Sequence, residues 1–157
     1  MKREQKTLTN KGFSLVELII VVAIMAVLIG VLAPQYLRYV EKTRLQRDNS
    51  SIAEVANVIK MASAEETVIT QLAGGNVTYN FSATGMTGGG LGGTLTALDN
   101  EISATITPAD VKITSNTYTS GTAPTLTVKI NSANKQIVVE ADNWMDTPSS
   151  TPGKKTF

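Results

Sequence analysis

The chain has 157 residues, enough for one small domain, and its few aromatics (three Phe, four Tyr, one Trp) imply a modest core of Val, Ile, Leu and Ala. A net charge of +1 gives no case for nucleic acid or an acidic surface as partner. With no Cys and no His, thiolate nucleophiles, disulfides, zinc sites with Cys or His ligands and Ser-His-Asp catalysis are excluded by inventory.

The charge is unevenly placed. Residues 1–12 carry Lys2, Arg3, Lys6 and Lys11 against Glu4, a net of +3, which leaves ten basic against twelve acidic side chains in the remainder. From Phe13 to Ala33 the chain is mostly apolar and carries one charge, Glu17. A helix over these residues spans roughly the 30 Å of a bilayer core, with the basic stretch on the cytoplasmic side. An ordinary secretory signal fits less well. The apolar run is too long for one, and its small-residue cleavage point, Val31-Leu32-Ala33, is followed directly by Pro34. A carboxylate inside the run is costly in lipid, so Glu17 points to a partner.

The stretch Lys11-Gly12-Phe13-Ser14-Leu15-Val16-Glu17-Leu18 resembles the prepilin peptidase site of type IV pilins and of the pseudopilins of secretion systems. The resemblance covers about residues 1–50. It implies cleavage between Gly12 and Phe13, N-methylation of Phe13, and a requirement for Glu17 in assembly. A glycine before the cut lets a membrane protease approach the backbone closely. The freed Phe13 amine is a partner for the Glu17 carboxylate of a neighbouring subunit, and that pairing would set axial register. The resemblance also implies the pilin ladle fold, an α+β arrangement with a long helix on a small antiparallel sheet. The implied partners are copies of itself, prepilin peptidase, the assembly platform with its ATPase, and the membrane before assembly; no direct nucleic-acid contact is expected. The precursor would sit in the cell membrane and the product in an extracellular pilus.

In chain order, the expected parts are a leader (1–12), a transmembrane and assembly helix (13–33), its amphipathic continuation (34–73), a Gly-rich loop with a short helical turn (74–103), and a sheet with C-terminal tail (104–157). Pro34 removes a donor and crowds the carbonyl of Gly30, so a kink or local unwinding is expected at Gly30 and Pro34. Residues 35–73 lack Gly and Pro, and Ile52, Val55/Ala56, Ile59, Ala62 and Ile69/Leu72/Ala73 form an apolar stripe. Arg47, Asp48, Glu54, Lys60 and Glu65 fall mostly on other faces. One helix from 14 to 73 is therefore expected, stopped by Gly74-Gly75. Glu41 is placed to pair with Arg38 or Arg44 at i,i+3 spacing.

Residues 74–93 hold eight glycines and read as an exposed loop without the ending of a phosphate loop. A helical turn at 95–99 would aim Leu95, Leu98 and Ile102 at the core. From 104 onward the period is two: Ile106, Val111 and Ile113, then Leu126, Val128 and Ile130, then Ile137 and Val139. Three or four antiparallel strands follow, the last two joined by Asn131-Ser132-Ala133-Asn134, with residues 147–157 loose or capping the sheet edge.

Asp142, Asn143 and Asp146 form a candidate calcium cluster without the ligand spacing of a known loop. No other cofactor is expected. Glu65-Glu66 and Asp99/Glu101 read as solvated surface, and no constellation suggests an enzyme. Two functions remain open: a type IV pilus subunit serving adhesion, motility or DNA uptake, and a major pseudopilin of a type II-like secretion or competence system. The absence of a clear calcium loop and the Gly- and Thr-rich outer segment favour the first.

Overall fold

The computed structural model of the chain describes residues 12–72, 75–88, 96–131 and 136–157. The leader cations Lys2, Arg3, Lys6 and Lys11, the Gly89–Gly93 run, Leu95 and the Ser132-Ala133-Asn134 loop lie outside the described residues. The chain divides into two compact units, residues 1–38 and 39–157. Helix α1 covers Leu15–Ala62, and an 18-residue stretch of it has a mean hydropathy of 3.1 with none of that stretch buried. The first unit is helical from Leu15 onward and presents its apolar side chains outward.

In the second unit α1 becomes one-sided. Leu45, Asp48, Ile52, Val55, Ala56, Ile59 and Ala62 are buried, a spacing of three and four that keeps them on one face. The helix ends at Ala62 instead of running to residue 73. Ser63 Oγ donates to the Lys60 carbonyl at 2.7 Å, and the N–H groups of Ala64 and Glu65 bond three residues back to Met61 and Ala62. These contacts tighten the last turn and end it. A separate helix, α2 (Glu66–Leu72), then turns Val68 and Leu72 into the core.

The sheet has five antiparallel strands in the order β2-β1-β3-β4-β5: β1 Val77–Ser82, β2 Gly85–Gly88, β3 Thr125–Ile130, β4 Ile137–Trp144 and β5 Gly153–Thr156. The register stacks apolar rows across it: Val77 faces Val128, which faces Val139, and Tyr79 faces Leu126, which faces Ala141. These rows share one buried cluster with the apolar face of α1. Two strands thus lie where the glycine count suggested loop, because Val77, Tyr79 and Phe81 alternate inward regardless of composition. At Gly85, φ is +135° and a Cβ would lie 2.7 Å from the Pro108 carbonyl oxygen, so only glycine admits the 3₁₀ turn Pro108–Asp110 against β2.

Between the sheet halves, α3 (Thr96–Thr105) is longer than the expected turn and buries Leu98 and Ile102. Tyr79 donates its hydroxyl to Asp99 Oδ1 at 3.0 Å, linking β1 to α3. Burial, then the charge and hydrogen bond of Asp99, hold the Tyr79 hydroxyl well above its ordinary pKa. Val111 and Ile113 are buried in an irregular segment instead of a strand. The C-terminal tail is tied down: β5 pairs with β4, Phe157 N–H donates to the Val139 carbonyl at 2.9 Å, and the Phe157 ring meets Trp144 edge-on at 5.5 Å.

Asp48 does not lie on an outer face. Its carboxylate is 1% exposed and is met from the sheet side by the Thr114 and Ser115 backbone N–H groups (3.0 and 2.7 Å to Oδ2) and by the Thr114 hydroxyl (2.9 Å to Oδ1). Ser115 caps the one-turn helix α4, Asn116–Thr119. Two turns earlier on α1, Glu41 Oε1 accepts from both the N–H and the hydroxyl of Thr117 at 2.7 Å. The expected pairing of Glu41 with Arg38 or Arg44 gives way to this, because a backbone donor fixed by a neighbouring turn competes well with a solvated, mobile guanidinium. Asn49 completes the junction: its Nδ2 donates to the Met145 carbonyl at 2.7 Å and its Oδ1 accepts from the Tyr118 hydroxyl at 2.7 Å.

Replacing Asp48 with Ala takes the acceptor from the buried Ser115 N–H and from the Thr114 N–H and should cost about 1–3 kcal/mol, read as a lower melting temperature of the full chain in detergent. Glu41 gives a pH signature. Burial pushes its carboxyl up, but the hydrogen bonds from the Thr117 hydroxyl and the Thr117 and Asn116 N–H groups, with the field of Arg44, outweigh that and leave it below its ordinary value of 4.5. A depressed folded-state pKa contributes stability above the unfolded value and loses it as pH falls through the folded one. The stability gap between the native chain and Glu41→Gln should therefore be full at neutral pH and should close on acidification below pH 4.5; melting curves at stepped pH check it.

Candidate processing and assembly site

The residues around the expected cleavage point lie at the very start of α1. Gly12 has no atom within 4 Å of where a Cβ would sit, and Phe13 is 86% exposed. The bond between them is thus open to an approaching active site. Ser14 precedes the first helical residue, Leu15, and so occupies the N-cap position. The Glu17 carboxylate reaches back to the Ser14 N–H at 3.0 Å, the return half of a capping box, and the Leu18 N–H bonds to the Ser14 carbonyl at 3.2 Å. The Ser14-x-x-Glu17 spacing ahead of an apolar run signals this box in the sequence. The expectation above used Glu17 only as an intersubunit partner. In the single chain the carboxylate is held one residue away from Phe13, at the helix end where the backbone dipole favours negative charge.

Beyond Glu17 the exposed apolar side chains run through Leu18, Ile19, Val22, Ile24, Met25 and onward to Leu32. Gly30 has open space around it, and Pro34 lies within α1, whose helical assignment continues on both sides. In this isolated chain the helix is not broken at Gly30 or Pro34.

The Asp142, Asn143 and Asp146 cluster is drawn apart by the sheet. Asp142 pairs with Lys154 of β5 at 2.9 Å, Asn143 Nδ2 donates to the Ala123 carbonyl at 3.4 Å, and Asp146 accepts from the Trp144 indole N–H at 2.9 Å. Asn143 sits at φ +59° where the β4–β5 register shifts, which turns its side chain away from the line of its neighbours. Among the described residues no group of three or more acidic side chains gathers to hold a metal ion.

Comparison with known proteins gives one match. Residues 8–33 fit the family model of the prokaryotic N-terminal methylation motif, which spans the cleavage point, Glu17 and the apolar run. No curated protein and no solved structure matches the chain. Motif and architecture agree: a long N-terminal helix followed by a small antiparallel sheet is the α+β arrangement of pilins. Residues 8–33 thus carry the class III leader motif of type IV pilins and pseudopilins, which supports a precursor of pilin-like or pseudopilin kind.

Proposed function

We propose that the chain is the structural subunit of a type IV pilus-like filament, built by homopolymerisation outside the membrane, and that it has no enzymatic activity of its own. The observation that carries this reading is the continuity of the methylation motif with an exposed apolar helix in one unit, while the other unit packs a core of its own. Hydrolysis of the Gly12–Phe13 bond leaves a carboxylate on the leader and an ammonium group on Phe13, which is then methylated. While the helix lies in the membrane, its side chains are solvated by lipid. When it leaves, they are solvated by the same helices of other copies, and a charge left alone there costs several kcal/mol.

Glu17 then has two positions. In the single chain it caps its own Ser14 N–H. In the filament it turns to the Phe13 amine of a neighbour, which fixes how far one helix slides past another. Gly30 and Pro34 are the places where the helix gives up hydrogen bonds when packed or pulled. The leader implies processing by prepilin peptidase and assembly by a multiprotein machinery.

The test is to shear the surface of expressing cells and determine the N-terminus and mass of the pelleted protein. A polymer beginning at methylated Phe13 is expected. A chain cut at Phe13 but retained in the membrane identifies a pseudopilin, and one beginning at Met1 or Pro34 overturns the reading. Glu17→Ala should leave the mature N-terminus at Phe13 while lowering the sheared yield by on the order of tenfold or more, since one buried charge loses its partner.

A further inference from the structure

Two features of the second unit are left unused by the reading above. The first is a depression between the end of α1 and α3, lined by the mostly apolar Val58, Met61, Ala62 and Thr105 together with Glu65 and Glu101. Met61 is 67% exposed there, and both acids are exposed. The second is a pair of exposed cations, Arg44 and Arg47, whose acidic neighbours Glu41 and Asp48 are already engaged by residues 114–117. Among the described residues none of Arg44, Arg47, Glu65 and Glu101 takes part in an ion pair.

The chemistry of the two is complementary. A mostly apolar lining with two carboxylates suits a long aliphatic stem that ends in a planar cation, which describes arginine. Neither arginine can reach the depression of its own copy. Arg44 and Arg47 each lie fourteen residues before Val58 and Met61 on the same helix, about 21 Å away at 1.5 Å per residue, far beyond the reach of a side chain. Two distinct, complementary patches on one molecule allow a heterologous, head-to-tail contact, which builds an open polymer when its rotation does not close into a ring.

We infer that Arg44 and Arg47 of one copy dock into the Val58–Met61–Glu65–Glu101 depression of another, so that the outer units carry a second intersubunit contact in addition to the one at the N-terminus. The inference rests on the filament reading. Its partner is a second copy of this chain.

The experiment uses the full chain in cells that make sheared filaments. Glu65→Arg with Glu101→Arg should lower the sheared yield roughly tenfold through like-charge contact. Arg44→Glu with Arg47→Glu should do the same, and the four changes together should restore most of it. The level of mature chain in the membrane controls for folding. Because the native chain has no cysteine, Arg47→Cys with Glu101→Cys offers an independent readout. Oxidation should give a ladder of multimers in the sheared fraction, whereas each single change gives dimers at most. Filaments indifferent to both charge reversals, or lacking the ladder, overturn the inference while leaving the filament reading intact. Where a charge reversal lowers the level of mature chain in the membrane, the cysteine pair decides, and the absence of its ladder overturns the inference. Should the native chain give no sheared filaments, the filament reading itself fails.

Discussion

A helix that exposes Leu18, Ile19, Val22, Ile24 and Met25 on all sides cannot stay in water; it must be solvated by lipid or by other apolar helices. This constraint orders the rest of the molecule. It forces the first unit to be a bare helix, because any packed layer from its own chain would compete with the partners it needs. It also places every element that folds back, from α2 to β5, in the second unit, where α1 has one apolar face and one solvated face. A single charge is tolerated in the apolar stretch, at Glu17, and the capping contact with Ser14 keeps it at the helix end where it costs least.

The second unit must then be fastened to a helix whose outward face is polar. Apolar packing does most of this, through Ile52, Val55, Ala56 and Ile59 beneath Leu126, Val128 and Val139. Packing is non-directional, however, and would tolerate sliding along α1. Glu41, Asp48 and Asn49 remove that freedom. Each binds backbone or hydroxyl groups of residues 114–118 or Met145 with fixed geometry, so the loop between α3 and β3 meets α1 in one register. The buried Asp48 carboxylate and the half-buried one of Glu41 are stable here because they face N–H groups at the start of the one-turn helix α4.

Much of this could be read from the residues. The apolar run, the Gly12-Phe13 step and Glu17 are local signals, and local signals survive without any knowledge of the fold. The β3 and β4 strands were legible from their period of two. What was missed depends on distant partners. Asp48 reads as surface until Thr114 and Ser115 are brought to it, sixty-six and sixty-seven residues later in sequence. The β1–β2 hairpin was hidden by surrounding glycines, although Val77, Tyr79 and Phe81 carried the alternation. The end of α1 at Ala62 comes with the Ser63 hydroxyl capturing the Lys60 carbonyl and the Ala64 and Glu65 N–H groups turning three residues back, in a stretch otherwise fit for helix. The pairing of β5 was obscured because Gly153–Thr156 has no apolar side chain to reveal it.

That last strand has a bearing on how many copies can be crowded together without sticking. A sheet with open margins invites its neighbours to extend it, and in a fibre the local concentration of such margins is very high. At one margin, β2, the 3₁₀ turn that Gly85 admits packs against the start of the strand. The other, β5, is fully exposed but carries Lys154 and Lys155, the first spent on Asp142 and the second laid 4.3 Å over the Trp144 ring. Charge at that margin makes strand-to-strand fusion between copies unfavourable. Removing it, by acetylation for instance, would leave a margin that a strand of another copy could extend.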